Sequence, residues 1–467
     1  MIYLILLLGL TLRLINLNQS LWLDEAITVQ AIFNNNLIDL ITKFSLADFH
    51  PPLHYILLWF WGRIFGFSEI SLRTPSVIFG VLTILFVYLL AKELFNKKTA
   101  LIAGLLLSLA PLHIYYSQEA RMYSLATFAV TLSFYFLELL LQKRKFASLG
   151  YTLSLVLILY CDYLVYLVLP AQLIFILWSR RDFFKQVLLS QVILIIFLIP
   201  WLPIFLQQLK NGKEVAILLP AWSEIVGGNS IKNFGLLFTK TILGRISFDN
   251  KVIYGLIVAI TGLVYSLLAY LSLKKINNQI KLLICWIIVP MILALSLSLS
   301  VPVFSYFRML FILPGFYLFV AVGVAQLPKK YLIPALAFLV LADLLFLGIF
   351  YLNPKFQRED WRLAVSSVEK KVSGDEVILF EDNNIPPPFV YYSKNTAQVL
   401  PALLKVPAMS VSDIKNLSQI NRVFVFEYLV DINDPQKLLQ KSLQDSGFKK
   451  LDTYNFNGVG FVYVYER

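Results

Sequence analysis

A chain of 467 residues that is 58% hydrophobic and only 15% charged, with a mean hydropathy of +0.73, has more apolar surface than a soluble core can hide, and reads as an integral membrane protein. Strand-like alternation is missing from the long apolar runs, which argues against an outer-membrane barrel. The net charge of +12 resides in lysine and arginine at the ends of those runs rather than on one face, so it calls for no nucleic-acid partner.

Apolar runs of helix length predict about eleven spans, at 1–17, 75–92, 99–116, 122–141, 147–161, 163–178, 186–206, 251–272, 281–300, 307–327 and 331–352. The first lacks a cationic leader and a small-residue cleavage site and contains Arg13, so it reads as a retained span rather than a signal peptide. Lys92, Lys97 and Lys98, then Lys143, Arg144 and Lys145, then Arg180, Arg181 and Lys185, then Lys274, Lys275 and Lys281, and last Lys329 and Lys330 occupy every second connection. The excess of positive charge places those connections in the cytoplasm. The expectation is therefore a multi-pass protein of the cell membrane with its amino terminus inside. The loops holding Asp24, His50 and Glu119, the stretch 207–250 and the tail after Asn353 then lie outside. Cys161 and Cys285 both fall in spans and read as small buried apolar residues.

The first outer loop, 16–73, is long for a compact bundle. Asp24 precedes Ala26, Ile27, Val29, Ala31, Ile32 and Phe33, a pattern suited to a short interfacial helix, and a second such stretch runs from Leu37 to Phe44. Two readings of Asp24 stand side by side. It can cap that helix, with Glu25 in the first turn, or it can take the proton of an attacking hydroxyl, with Glu25 orienting substrate or supporting Asp24. His50 precedes Pro51-Pro52, and His54 follows four residues on. A helix beginning at His50 would put both imidazoles on one face, as a weak metal pair or as hydrogen-bonding side chains.

Further along, Arg73 in Ser71-Leu72-Arg73-Thr74-Pro75-Ser76, Glu119, Arg121 and Tyr123 in Ser117-Gln118-Glu119-Ala120-Arg121-Met122-Tyr123, and Arg308 after Ser305-Tyr306-Phe307 enter at the same outer level. The plain reading of Glu119 and Arg121 is a helix-terminal acid and a snorkelling arginine. A planar guanidinium is also well matched to phosphate, and three of them at one depth beside carboxylates suit a phosphate-bearing lipid. The segment Leu209 to Lys251 is too polar to span and has the length of a lid or binding loop. From Asn353 the apolar runs shorten to strand length at Val377 to Phe380, Phe389 to Tyr392, Arg422 to Phe426 and Gly460 to Val464. The expected organisation is an α-helical polytopic domain over 1–352, including the loop 16–73, and a small extracytoplasmic α/β domain over 353–467.

Asp24-Glu25 after the first span, His50-Pro51-Pro52-Leu53, Leu72-Arg73-Thr74-Pro75-Ser76 with Gly80, and Ser117 to Tyr123 together resemble the GT-C class of membrane glycosyltransferases. The branch it resembles includes dolichyl-phosphate-mannose protein mannosyltransferases and bacterial aminoarabinose transferases. The likeness is strong over 1–180, weaker to 352, and general over the tail, where Glu359-Asp360-Trp361-Arg362 also resembles the start of the soluble domain. The resemblance implies a GT-C bundle and a hexosyl- or pentosyltransferase that moves one sugar from a polyprenyl-phosphate donor to a lipid, glycan or protein acceptor. It implies Asp24 as the catalytic acid of the first loop, with Glu25 beside it, and a divalent metal ion near Asp24 and His50. Phosphate would fall to His50, Arg121 and Arg308, with Arg73 joining them or tying the loop to the bundle, and Glu119 and Tyr123 would line the substrate. Where many relatives show Thr-His-Tyr at the outer end of the fifth span, this chain reads Tyr160-Cys161-Asp162-Tyr163, which removes one histidine.

The mechanism expected is a single displacement that inverts the anomeric centre, with Asp24 as base. The alternative is a flippase for a lipid-linked sugar, which calls for inverted halves and polar residues near mid-membrane. Charges collected on one side and apolar mid-span positions favour transfer.

Overall fold

A peptide group in lipid must find its hydrogen-bond partner within its own segment, so long apolar runs become helices before they pack. The computed structural model describes every residue except 229, 418 and 419, and the side chains of all but these and 223–225. The chain divides into two compact units, one made of Met1–Leu17, Asn35–Lys213 and Val226–Leu352, the other of Asn18–Asn34, Glu214–Ile225 and Asn353–Arg467.

In the first unit each segment expected to span contains a helix. Among the described residues six helices combine the length and apolarity needed to cross a membrane: Glu69–Leu94, Tyr123–Leu141, Arg181–Leu218, Lys251–Leu273, Asn278–Leu297 and Lys329–Leu352. Lys97–Leu109 and Pro111–Ser117 make a further span if taken as one helix bent by 61°, and Ile2–Leu14, Ala147–Cys161, Leu164–Ser179 and Leu310–Gln326 are shorter apolar helices. Helix length therefore does not fix the expected count of eleven.

Local sequence explains several joints. Pro75 lies inside Glu69–Leu94 and has no N–H for the carbonyl four residues back. That carbonyl, on Ser71, instead accepts the indole N–H of Trp61 at 2.9 Å. Gly80 leaves space where a Cβ would stand 2.3 Å from Ser117 Oγ and 3.0 Å from Arg13 Nε. Arg13 fills that space, fully buried, and donates to Ser117 Oγ at 3.2 Å, Gly9 O at 2.8 Å and Ser108 O at 3.2 Å, with His113 Nδ1 2.6 Å away. A cation in a membrane segment is tolerated when carbonyls and polar neighbours surround it in this way.

Mid-span positions are not uniformly apolar, contrary to expectation. Asp343, well inside Lys329–Leu352, is fully buried, with Tyr265 Oη 3.5 Å from its Oδ1. The polar stretch 209–251 carries the helices Pro220–Val226 and Ile231–Leu243 after Arg181–Leu218. Gly244 ends the last of them at φ +70, where a Cβ would meet Pro111 Cβ at 2.7 Å, so only glycine fits.

The second unit is built on a five-stranded sheet of order β2-β1-β3-β5-β4, with β1 Val377–Phe380, β2 Gln398–Pro401, β3 Arg422–Phe426, β4 Lys449–Phe456 and β5 Gly460–Glu466. β1 runs parallel to β2 and β3, and β5 is antiparallel to β3 and β4. Strands buried on both faces read as continuous apolar runs, as Val377-Ile378-Leu379-Phe380 does. Ile378, Phe380, Phe424 and Phe426 pack beneath Trp361, Val365 and Val368 on one face, and Val377, Leu379, Val423 and Val425 against Leu439 and Leu443 on the other. Phe389 to Tyr392, expected as a strand, is instead part of the helix Pro387–Tyr392, whose prolines occupy its first turn. The strands β2 and β4 were not expected. Both lie at sheet edges, and β4 is mostly exposed and begins Lys449-Lys450, an edge pattern that lacks the apolar signal of a central strand.

Residues Asn18–Asn34 group with this sheet unit, whereas the expected boundary set them with the helical domain. Their polar groups explain the grouping. Gln19 Oε1 accepts Arg358 N–H at 2.8 Å, Ser20 Oγ accepts Arg362 N–H at 3.1 Å, Asn18 O accepts Arg362 Nη2 at 2.9 Å, and Leu21 N–H donates to Tyr392 Oη at 2.8 Å. Leu23 adds apolar contact with the Trp361 face.

At the end of β1, Glu381 is fully buried. Burial, then the Asp434 and Glu427 carboxylates, push its acid up to about 9, with Lys437 opposing. A raised acid costs stability above its unfolded value near 4.5, and the loss grows until pH passes about 9. Glu381→Gln is expected to raise the melting temperature of the full-length protein at pH 8 and leave it unchanged at pH 4. An equal effect at both pH values would contradict the burial cost.

Candidate active site

In the first unit the helix after the two prolines begins at Leu53, not at His50, so His50 and His54 do not share a helical face. His54 is buried in the first turn with Nε2 3.0 Å from Ala120 O. His50 stays in the preceding loop. Its N–H donates to Asp48 Oδ2 at 3.3 Å, and its Nδ1 lies 3.4 Å from the same oxygen, long for a hydrogen bond. Its Nε2 is 3.5 Å from Arg121 Nη2. Gln208, from the helix Arg181–Leu218, holds the loop by donating to Ser45 O at 2.6 Å and His50 O at 3.0 Å. The side-chain Oε1 of Gln208 accepts the Tyr163 hydroxyl, which in turn accepts Trp201 Nε1 at 2.9 Å.

Asp48 thus faces two basic groups. Burial pushes its carboxyl up, but His50, Arg121 and a hydrogen bond from Tyr55 pull it down to about 2. Its contribution to stability is full above the unfolded value near 3.8 and is lost as pH falls through about 2. Asp48→Asn is expected to lower the melting temperature at pH 5, with the gap to wild type shrinking below pH 4. A gap that widens as pH falls from 5 to 3 would refute this account.

Residues Gln118 to Met122 break the helix rather than start it, and Tyr123–Leu141 begins only after them. The break is tied down on both sides. Gln118 Nε2 donates to Arg13 O at 3.1 Å and Ile15 O at 2.6 Å, Ser76 Oγ donates to Arg121 O at 3.4 Å, and Ser124 Oγ donates to Ser76 O at 2.7 Å. Ser76 of the Leu72 to Ser76 motif is therefore what seats Arg121. Arg73, almost fully buried, donates to Leu17 O at 2.9 Å. Arg308 is partly buried, donates to Pro302 O at 2.9 Å, and lies beside the Phe307 ring.

A second polar group forms around Arg245, which sequence reading passed over although it lies in the stretch 209–251 singled out as a binding loop. Arg245 is exposed to solvent yet its guanidinium donates to Tyr115 Oη at 2.7 Å and lies within electrostatic reach of Glu119, Tyr116 and Tyr306. Glu119 is fully buried. Tyr123 packs its ring on Tyr116 at 5.1 Å and Phe307 at 5.9 Å. Glu119, Arg121 and Tyr123 thus serve two polar groups, one with His50 and one with Arg245. Asp48, two residues before His50 in a loop already noted for its chemistry, was also readable as a candidate.

In the second unit Asp24 occupies the first turn of the helix Leu23–Asn34, inside the helix rather than at its cap. Glu25 is buried and its Oε2 accepts Trp22 N–H at 3.4 Å, so Glu25 reaches back to the helix start. Asp24 is partly exposed. It lies within electrostatic reach of Glu359 and Tyr428.

Among the described residues no three His, Cys, Asp or Glu side chains gather closely enough to hold a metal ion.

Residues 49–205 match the family described as dolichyl-phosphate-mannose-protein mannosyltransferase. The fold is similar to that of ArnT from Cupriavidus metallidurans bound to undecaprenyl phosphate, at 12% identity and a TM-score of 0.62, over 99% of this chain and 97% of that one. It is also similar to the Archaeoglobus fulgidus oligosaccharyltransferase tethered with an acceptor peptide, at 14% identity and a TM-score of 0.54, over 99% of this chain and 73% of that one. Another structure of that oligosaccharyltransferase is a complex with Zn and sulfate. An uncharacterized protein of Aquifex aeolicus (strain VF5) is 36% identical over 98 residues, which is 21% of this chain, and the match spans 20% of that relative's length. The fold is thus similar to that of ArnT, with a small C-terminal sheet domain, and residues 49–205 are similar to the mannosyltransferase family.

Proposed function

We propose that this chain is a membrane glycosyltransferase that moves one sugar from a polyprenyl-phosphate donor to an acceptor on the extracytoplasmic side. The observation that carries this reading is Arg121, buried, seated by Ser76 and set beside His50, within the segment that matches the mannosyltransferase family. A guanidinium with a neighbouring imidazole supplies directed donors for a phosphate. ArnT, of similar fold, is bound to undecaprenyl phosphate.

In this reading the acceptor hydroxyl attacks the anomeric carbon while Asp24 takes its proton, and the bond from that carbon to the phosphate oxygen breaks with its electron pair left on the phosphate. Arg121 stabilises that charge as it develops, with Arg308 and His50 assisting. Attack from the face opposite the phosphate inverts the centre. Confinement of the donor to the leaflet supplies much of the positioning. The amino terminus is cytoplasmic and the C-terminal domain extracytoplasmic, as the lysine and arginine distribution supports.

The test is a proteoliposome assay with radiolabelled polyprenyl-phosphate sugars and an acceptor fraction from the cell envelope. Label bonded to acceptor, with the anomeric configuration reversed by NMR, is the expected result. Lipid movement across the bilayer without bond formation would replace this reading with a flippase.

A further inference from the structure

Asp24 stands on a helix whose approach is fastened to the segment 358–362 by three hydrogen bonds, and that segment carries a second carboxylate, Glu359. Glu359 Oε2 accepts Trp361 Nε1 at 2.7 Å and Tyr428 Oη at 3.0 Å. The backbone of Leu23, the residue before Asp24, also donates to it. Gly458, at φ +71, makes room: a Cβ there would lie 2.9 Å from Glu359 Cα and 3.0 Å from its Cγ. The fold has thus committed three donors and a glycine to one acid side chain next to Asp24. A surface glutamate at a domain start needs none of these.

We propose that Glu359 is the proton-holding partner of Asp24, a positioning residue of the C-terminal unit that shares the proton taken from the acceptor. This rests on the reading of Asp24 as base. When the acceptor oxygen bonds to the anomeric carbon, its proton passes to Asp24 and on to Glu359, and the phosphate departs with the electron pair of the broken bond. The proton ends on Glu359 and is released to water before the next turnover. A base that hands its proton to a neighbour is ready again as a carboxylate.

The surroundings of Glu359 suit that task. Burial and the Asp24 charge push its carboxyl up to about 7 against the hydrogen bonds of Trp361, Tyr428 and Leu23, which is the range in which a group both takes and releases protons at working pH. The charged and titratable groups facing this corner are Asp24 from the helix Leu23–Asn34, Tyr428 after β3, and Asp382 after β1, which acts on Tyr428. The Arg362 guanidinium donates to Asn18 O and lies over the Tyr392 ring.

The test is an infrared pH titration of the carboxylic acid band in the full-length protein, paired with pH profiles of transfer. Wild type should show one carboxyl titrating near pH 7, lost in Glu359→Gln and moved to lower pH in Asp24→Asn. The transfer rate should rise through the same pH in wild type. In Glu359→Gln this inflection should vanish and kcat at pH 8 fall roughly tenfold to a hundredfold, with KM for the donor within about twofold. A band near pH 7 that persists in Glu359→Gln, or does not move in Asp24→Asn, overturns the pairing, as does an unchanged inflection in Glu359→Gln. The Asp24→Asn arm reads the coupling even if Glu359→Gln fails to fold. If the two carboxyls prove coupled and no polyprenyl-phosphate sugar is transferred, the pair stands and the transferase reading falls.

Discussion

Asp24→Asn protein should bind undecaprenyl phosphate as wild type does and turn over its sugar-loaded form roughly 100 to 10,000 times more slowly. Asparagine keeps the shape of the side chain and cannot take a proton. Measured with purified protein and radiolabelled donor at saturating acceptor, near-normal turnover would remove Asp24 from the chemistry. Glu25 provides the internal contrast. Its carboxylate is buried against the start of the helix and accepts Trp22 N–H, so Glu25→Gln should act mainly by loosening that helix, at a cost of about 1 kcal/mol in stability. If Glu25→Gln instead abolishes turnover with the melting temperature unchanged, the two neighbouring acids exchange roles.

Arg121→Gln should weaken binding of undecaprenyl phosphate about tenfold to a hundredfold, the value of a charge-assisted hydrogen bond to phosphate. Arg121→Lys should recover only part of the loss, because an ammonium replaces a planar fork by a point charge. The comparison that gives this test its force is Arg73, which is equally buried but donates to Leu17 O. Arg73→Gln should lower the melting temperature with a smaller change in donor affinity. Arg121→Gln protein that binds the lipid as tightly as wild type does would show that phosphate is held elsewhere, and Arg245 beside Tyr115 would be the next residue to replace.

Much of the helical frame could be read locally. Apolar runs such as Val77 to Leu90 and Leu332 to Tyr351 became the helices Glu69–Leu94 and Lys329–Leu352, since in lipid a run of that length has no other way to satisfy its backbone. The central strands β1 and β3 were readable for the same reason, being short runs buried on both faces. The edge strand β4, with Lys449, Lys450 and Asp452 exposed, carries no such signal. Phe389 to Tyr392 misled because aromatic and β-branched composition favours a strand, while the three prolines before it fix the chain for a helical turn.

Composition and periodicity, then, determined that this protein is a membrane helix bundle with an α/β tail, and singled out Asp24 and the arginines near helix ends as candidates for its chemistry. Tertiary structure alone decided which acid reaches back to the helix start, that His50 meets Arg121 across 71 residues of chain, that Arg73 donates to Leu17 O, and that the loop bearing Asp24 is fastened to Arg358 and Arg362 by Gln19 and Ser20. The physical reason is one of range. A helix or a buried strand repeats its pattern every few residues and so writes it into the sequence. A hydrogen bond between Ser20 and Arg362 depends on where two distant segments come to rest, and nothing in either segment records the other.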